Sequence, residues 1–435
     1  MRKILIRAGV SPLKRNDADW ILQKDRIGAN SGNLMYQYSV FRTLMTEDAE
    51  LTADYFYESN TTPEQMEKIN SGYECVVLPL ANAFRRDVPL KDLTGFVRQL
   101  KIPCVVVGCG VQADSFAQLS EKLPFDEDAK AFVSAVLDRS AMLGLRGEMT
   151  AQYLKKLGFV PEKHFTVTGC PSLYTWGADL PEVRLSEMTK DSRISVNTRM
   201  KQRKALHQLL GRAIAEHPEY HLVLQKKDEL ALIRYGVPIF SSASAEKEGN
   251  GYYPRNLRHE AVRQGRAIGF VSARDWHDYL REKDFSFGSR IHGNIAAVVS
   301  GTPAFVFTTD TRTEELCRYH NIQYMPATQV QEGADIRDIV DRADFTSVHR
   351  GHAERFSHYL DFLNANSLPH IYRDTLHPQN VPFDRAEAML PAGEGVCTGG
   401  NVSMADRFKG GYAWREQMMR MGQKAKIVAR KKLRL

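Results

Sequence analysis

The chain has no run of about 18 apolar residues anywhere in its 435 positions, so a membrane-spanning helix of ordinary length is not expected. It also lacks the sequence of a leader. "MRKILIRAGV" opens with basic residues, but Arg7 breaks the apolar stretch and "PLKRNDAD" follows at once, so this segment reads as a first buried strand. Cysteine is sparse: the six residues at 75, 104, 109, 170, 317 and 397 form no C-x-x-C pair and no His/Cys cluster at zinc spacing. Several lie in apolar runs, where they act as small hydrophobes, and a reducing cytoplasm is the expected location. No metal site is expected. "DAD" (17 to 19) and "DED" (126 to 128) match a loose acidic pattern, but "FDEDAK" reads more simply as acidic residues opening a helix. A net charge of +7 is modest for this length, so nucleic acid is not an expected partner.

What the chain does have is alternation. Within residues 1 to 180, "KILI", "CVVLPL" (75 to 80) and "CVVVGCG" (104 to 110) read as buried parallel strands. Helical patterns such as "LMYQYSVFRTLM", "DAKAFVSAVLDRSAMLGL" and "EMTAQYLKKLGF" accompany them. A second series within 190 to 365 runs "RISVNTR", "HLVLQ", "AIGFVS", "FSFGS", "PAFVF", again with helical segments between. The polar "WGADLPEVRLSEMTKDS" separates the two series as a linker. The fold class expected is α/β, with two Rossmann-like domains facing across a cleft and an extension over 373 to 435. In that extension the Pro- and Gly-rich part is expected to wrap the surface. The end, "REQMMRMGQKAKIVARKKLRL", carries eight Lys/Arg against one Glu. Trp414, Met418, Met421, Ala425 and Val428 recur there at helical spacing. This segment is either an amphipathic helix on an anionic membrane or a tail docked on its own domain.

The densest chemistry lies in "FGSRIHGNIAAVVSGTPAFVF" (287 to 307). A strand ends at Ser289, and a small-residue helix beginning near Gly293 has free N–H groups that favour an anion. Arg290 offers a planar fork for carboxylate or phosphate, and His292 offers an acid/base group near neutral pH. The same two side chains are equally a strand-end pair satisfied by backbone carbonyls. "QKKDE" (225 to 229) reads as a solvated face and Trp276 as core, with phosphate contact and sugar stacking as their respective alternatives.

This stretch resembles the S-R-x-H-G segment of the polysaccharide pyruvyl transferase family, including the strand and G-x-P that follow. "NSGNLMYQYSV", "VVVGCGVQ" and "LGLRGEMTAQYLKKLGF" with "VTGCPSLY" resemble other family pieces in the family's order, over roughly residues 27 to 325. Asn33 stands where the family has an acidic residue, "PLANAFRR" where it has a glycine-rich turn, and Cys170 where an aspartate often precedes the proline. Arg312 stands in for a lysine. The resemblance implies a GT-B-like fold and transfer of a pyruvyl group from phosphoenolpyruvate to a sugar of a cell-surface polysaccharide or its lipid-linked precursor, closing a cyclic ketal. Phosphoenolpyruvate would be the donor substrate, and no cofactor or metal is required.

On that reading His292 and Arg290 are catalytic. Arg199, Ser289, Arg290, Gly293, Asn294 and Arg312 bind the donor. Asn33, Asn82 and Gln112 recognise the acceptor's hydroxyls, although a turn or capping role suits each as well. A lipid-linked acceptor would give the basic end a purpose at the inner face of the membrane. Two other readings remain: a glycosyltransferase using a nucleotide sugar, with Arg290 on the diphosphate, and a non-catalytic carbohydrate-binding relative.

Overall fold

The computed structural model describes residues 1–56, 61–113, 117–239, 252–391, 393, 395–397, 400 and 402–419. Its first unit holds β1 (Arg2–Ile6), β2 (Ala49–Ala53), β3 (Cys75–Pro79) and β4 (Cys104–Val107), all parallel in the order β2-β1-β3-β4. β5 (Leu143–Leu145) and β6 (Phe165–Val167) pair with each other. They extend the same sheet, because Cys109 bridges Leu145 beyond the end of β4. The runs "CVVLP" and "CVVV" are buried at every position, as strands covered on both faces must be.

The second unit holds β7 (Ile194–Asn197), β8 (Tyr220–Leu224), β9 (Ala267–Gly269), β10 (Phe285–Gly288), β11 (Ala304–Thr308) and β12 (Tyr324–Pro326). Their order is β12-β11-β10-β7-β8-β9, and β13 (Val396–Cys397) from the extension adds an antiparallel edge beside β9. The chain winds one way from β7 to β9 and the other way from β10 to β12. β7 and β10 therefore part company at their C-terminal ends, which leaves the crevice where doubly wound sheets bind ligands. Gly288 at that point has φ +145°, and a Cβ there would lie 1.7 Å from the Asn197 carbonyl oxygen. Only glycine lets the two strand ends come so close.

Three sequence expectations are corrected here. The stretch "DAKAFVSAVLDRSAMLGL" is not one helix: the helix Asp126–Leu137 stops, and "LGL" is β5. The helix expected near Gly293 begins at Ile291 and runs to Val298. "QKKDE" is not a solvated face, because Gln225, Lys227 and Glu229 are buried. Trp276 is core, stacked on Phe270 with ring centroids 5.6 Å apart. The acidic triplets serve the fold. Asp17 caps the helix Ala18–Gln23, Asp19 pairs with Arg234 and Lys409, and Asp126 pairs with Lys156.

After β12 the chain returns to the first unit. The helix His352–Ala365 stacks Tyr359 on Tyr174, and His358 Nε2 lies 2.7 Å from Thr166 Oγ1. Asp384 then holds Arg42 of the helix Gly32–Leu44. Residues 411–419 are helical and dock on the second unit, where Ala413 and Gln417 are buried and Glu416 pairs with Lys227. Met421, Ala425 and Val428 lie outside the described residues. No helix among the described residues is long and apolar enough to cross a membrane.

Many histidines are buried in this fold as neutral rings. Burial lowers His207, His221 and His352 to about 4 and His277 to about 3. In the unfolded chain each takes a proton near pH 6.5, whereas in the fold it does not, so the unfolded state binds more protons as pH falls below that value. The melting temperature is therefore expected to drop steadily between pH 6.5 and about 4. Each such ring adds up to about 1.4 kcal/mol per pH unit. A melting temperature unchanged from pH 7 to pH 5 would contradict the neutral rings.

Candidate active site

The C-terminal ends of β7, β8 and β10 face the first unit's loops. Arg290 sits at the switch point, and its backbone N–H donates to Asn197 Oδ1 at 2.7 Å. Its side chain does not present the open fork expected from sequence. Nε donates to the Thr198 carbonyl at 2.8 Å and Nη2 to Glu229 Oε1 at 2.8 Å, both buried. Glu229 in turn accepts from the N–H groups of Gln225 and Lys226 and from the Tyr253 hydroxyl. Burial alone would raise this carboxyl, but Arg290 and those donors hold it below the usual range. Arg290 thus locks the ends of β7, β8 and β10 together.

Ser289 and Asn294 are also used inside the protein. Ser289 Oγ donates to Gln202. Asn294 Oδ1 accepts from Asn197 and Ser286, while its Nδ2 faces the carbonyls of Gly288 and Arg290. Gly293 leaves room for Gln225, whose Nε2 would lie 2.6 Å from a Cβ and is buried without a partner. Arg199 and Arg312 share Asp310 at 3.4 and 3.3 Å. Burial lowers Arg199 to about 10 despite Asp310. Asp310 itself, which burial would raise, is held far below its usual range by Arg312 and Arg199.

On the first unit, Asn33 Nδ2 ties the loop carbonyl of Ile27 at 2.9 Å, which is a turn role. Asn82 Nδ2 donates to Gln112 Oε1 at 2.6 Å, leaving Asn82 Oδ1 buried and unpartnered. The structure brings Arg199, Arg290, His292 and Arg312 into one neighbourhood. The three first-unit amides instead divide between the loop before the helix Gly32–Leu44 and the ends of β3 and β4.

Two residues that sequence reading passed over complete the site. Arg146, just after β5, is fully buried, and its Nε and Nη1 have no hydrogen-bond partner. Its guanidinium lies 5.5 Å from the centroid of the Tyr36 ring. Glu315, on the helix Thr311–His320 of the second unit, crosses to the first unit and accepts from Thr150 N at 2.7 Å. A Cβ on Gly147 would come within 2.1 Å of Glu315 Cγ, so that glycine makes the crossing. Burial pushes the Glu315 carboxyl up to about 7, against the pull of the Thr150 donors and Arg146.

His292 stands among these groups. Its Nε2 is 3.9 Å from Cys170 Sγ, and Gly32 lies close to Nδ1. Burial, then Arg146 and Arg312, keep the ring well below its ordinary range, hence neutral. Arg85 and Lys226 belong to the same field: burial and then Arg312 lower Arg85, and burial and then Arg290 lower Lys226. Six cations (Arg85, Arg146, Arg199, Lys226, Arg290 and Arg312) thus stand against five carboxylates: Glu229, Asp310 and Glu315, with Asp87 acting on Arg85 and Asp228 on Lys226. The surplus is positive and drawn from both units. A separate enclosed cavity of about 170 Å³, lined by Gln37, Arg15, Asp275 and Glu387 among others, holds none of these six cations.

Two doubly wound units whose strand ends share a cleft make the fold GT-B-like. The family described as polysaccharide pyruvyl transferase matches residues 36–311, and the chain belongs to it. No curated protein matches the chain. Among solved structures, the chain is similar to the Staphylococcus aureus MnaA–UDP structure at 13% identity and TM-score 0.40, covering 85% of this chain and 99% of that one. It is also similar to Methanocaldococcus jannaschii UDP-GlcNAc 2-epimerase in complex with UDP-GlcNAc and UDP, at 10% identity and TM-score 0.41, covering 84% and 99%. Glycosyltransferase SnogD from Streptomyces nogalater follows at 11% identity and TM-score 0.33, covering 90% and 99%.

The Glu315 contact yields a signed expectation. A carboxyl held at about 7 in the fold, but ionised above pH 4.5 when unfolded, costs stability as pH rises through that window. Glu315→Gln keeps an acceptor for Thr150 without the charge. It should melt higher than wild type at pH 8, by an amount on the order of 3 kcal/mol, with the gap closing at pH 5. A Gln variant less stable at pH 8 than at pH 5, relative to wild type, would contradict the assignment.

Proposed function

We propose that the chain transfers the pyruvyl group of phosphoenolpyruvate to a sugar of a cell-surface polysaccharide or its lipid-linked precursor, forming a cyclic ketal. The observation that carries this reading is Arg146: a buried guanidinium whose Nε and Nη1 lack hydrogen-bond partners is expensive unless an anion completes it. Phosphoenolpyruvate brings a carboxylate and a phosphate on one small carbon frame, which suits cations converging from two sides. Arg146 from the first unit and Arg199 and Arg312 from the second are the donor-binding set. Arg290, engaged by Glu229 and Thr198, acts as the residue that positions the switch point.

The reaction needs a proton delivered to the methylene carbon, attack on C2 by a sugar hydroxyl, loss of phosphate and closure by a second hydroxyl. His292 is the acid/base group in reach of the cations. Arg199 and Arg312 stabilise the negative charge that builds on the departing phosphate. No step calls for a metal or a cofactor. Asn82, with its unpartnered oxygen, and Gln112 remain candidates for the acceptor's hydroxyls.

A thermal-shift series tests the donor. Phosphoenolpyruvate at about 100 times its dissociation constant should raise the wild-type melting temperature by a few degrees, and UDP- and GDP-sugars should not. Arg146→Met should melt higher than wild type without ligand, because it removes an unpaired buried charge, and should lose the phosphoenolpyruvate shift. A shift with a nucleotide sugar alone would transfer the argument to a glycosyltransferase.

For the acceptor, membrane contact is part of the same proposal. Met404, Phe408, Met418 and Met419 are exposed, Phe408 by 89%, and the sequence from 420 to 435 carries seven basic residues. The chain should sediment with vesicles containing anionic phosphatidylglycerol and not with neutral phosphatidylcholine vesicles. Removing residues 420–435 or introducing Phe408→Ser should weaken this binding at least several-fold. Equal binding by the truncated chain would remove the membrane contact from the proposal.

A further inference from the structure

Cys170 and Arg146 flank His292 in a way that the donor reading leaves without a role. Cys170 closes the loop after β6, immediately before the turn Pro171–Tyr174, and is fully buried. Its backbone N–H donates to His320 Nε2 at 2.9 Å, which fixes the loop. Its Sγ lies 3.9 Å from His292 Nε2 and 4.0 Å from Arg146 Nη2. The other ring nitrogen, Nδ1, lies on the side of Gly32, where a Cβ would come within 3.1 Å of it. Tyr36 meets the ring edge-on, with centroids 6.4 Å apart. Among the described residues Cys170 is thus the proton-bearing acid in contact with Nε2, and Arg146 waits beside the sulfur with Nε and Nη1 unpartnered.

We propose that Cys170 is a proton relay partner of His292: the Sγ–H proton moves to Nε2 as the Nδ1–H proton moves to the methylene carbon of phosphoenolpyruvate. The proposal rests on the donor reading above. It answers a difficulty in that reading, because a ring with Arg146 and Arg312 nearby and little solvent does not hold two protons readily. In the relay it never has to. The C2–C3 π pair takes the Nδ1 proton, C3 becomes a methyl group and C2 becomes cationic. The S–H bonding pair remains on sulfur as a thiolate, facing Arg146, and the imidazole stays neutral with its proton now on Nε2.

The return step balances the first. A sugar oxygen bonds to C2 and its proton passes to Nδ1, while the Nε2 proton goes back to sulfur. The C2–O bond to phosphorus-bound oxygen then breaks with its electron pair on the phosphate. A second hydroxyl bonds to C2, and its proton leaves with the phosphate. Cys170 and His292 end as they began. A serine at 170 keeps nearly the same size but is a far weaker acid, so packing and proton supply can be told apart.

The test uses the full chain, with Cys170→Ser as the deciding variant. Binding is read as the thermal shift with phosphoenolpyruvate. Turnover is read in D2O as deuterium entering C3 and phosphate release, with p-nitrophenyl galactoside, mannoside and glucoside as acceptor probes. The relay predicts a Cys170→Ser protein with wild-type phosphoenolpyruvate shift and turnover reduced about 100-fold or more. Turnover of Cys170→Ser within about threefold of wild type overturns the relay and leaves the donor reading intact. Absence of any phosphoenolpyruvate shift in wild type overturns the donor reading, and the relay with it. Nitrogen-15 NMR of the His292 ring decides independently of the acceptor. The relay requires an unprotonated Nε2 whose resonance moves in Cys170→Ser, and a ring protonated at Nε2 in the resting protein overturns it.

Discussion

The surplus of positive charge at the meeting of the two sheets is the constraint around which this chain is built. Like charges packed into a low-dielectric seam repel strongly, and burial penalises each one separately. The fold answers with carboxylates placed one per problem. Glu229 holds Arg290, Asp310 stands between Arg199 and Arg312, and Glu315 lies near Arg146. His292 answers by staying neutral. The compensation stops short at Arg146, which is fully buried and whose Nε and Nη1 have no partner. A fold selected for stability alone would replace it with an apolar side chain. That unmet cost, together with the family to which the chain belongs, is what the proposed anionic donor would answer.

The same constraint explains why Arg290, read from sequence as an open anion fork, is engaged inside the protein while Arg146, which the sequence did not single out, keeps unpartnered nitrogens. Arg290 lies in the most distinctive motif, but the motif also sits where β7 and β10 diverge and where backbone groups lose their ladder partners. A planar guanidinium suits that position, because one side chain can satisfy the Thr198 carbonyl and a buried carboxylate together. Arg146 follows a three-residue strand at the edge of recognisability and enters the cleft from the opposite unit. Its buried, unpartnered Nε and Nη1, more than any local sequence pattern, are what set it apart.

Much of the architecture was legible in the sequence, because parallel strands covered on both faces are written as short apolar runs. "CVVLP" and "AFVFT" became β3 and β11 as read. β5 was not legible. "LGL" has too few residues for any periodicity to show, and it follows a helix of the same apolar character. β2, "AELTA", has polar Glu50 and Thr52 on either side of its central Leu51 and likewise escaped. Arg199, Arg290, His292 and Arg312 could be read together because they sit at strand ends, or at the helix starts that follow them, in one unit. Glu229 and Glu315 were hidden by a different cause. Each is an ordinary acidic residue inside an amphipathic helix, and only the crossing of chains distant in sequence turns it inward. Gly147 was the available signal for Glu315, but a glycine at a strand–helix junction has many other uses.

The contacts across the seam decide how the site can work. Ser31 N donates to the Gln225 carbonyl at 2.8 Å and Lys227 N to the Ala29 carbonyl at 3.1 Å, which joins the first unit's loop to the end of β8. Thr311 Oγ1 donates to the Ala113 carbonyl at 3.0 Å and Thr150 N to Glu315 at 2.7 Å, which joins the units again near Arg146. His292 lies between these two clamps, touching Gly32 of one unit while belonging to the other. Its surroundings are therefore fixed before any substrate arrives, and the cations are already aimed. Electrostatic stabilisation of this kind is most effective when the charges need no reorganisation as the reaction proceeds. The cost appears instead in the free protein, as an unpaired arginine, a carboxyl pushed up by burial and a row of histidines that must remain neutral. On this argument the acid sensitivity of the fold and the readiness of the site have one origin, namely polar groups held dry and in place by two units clamped together.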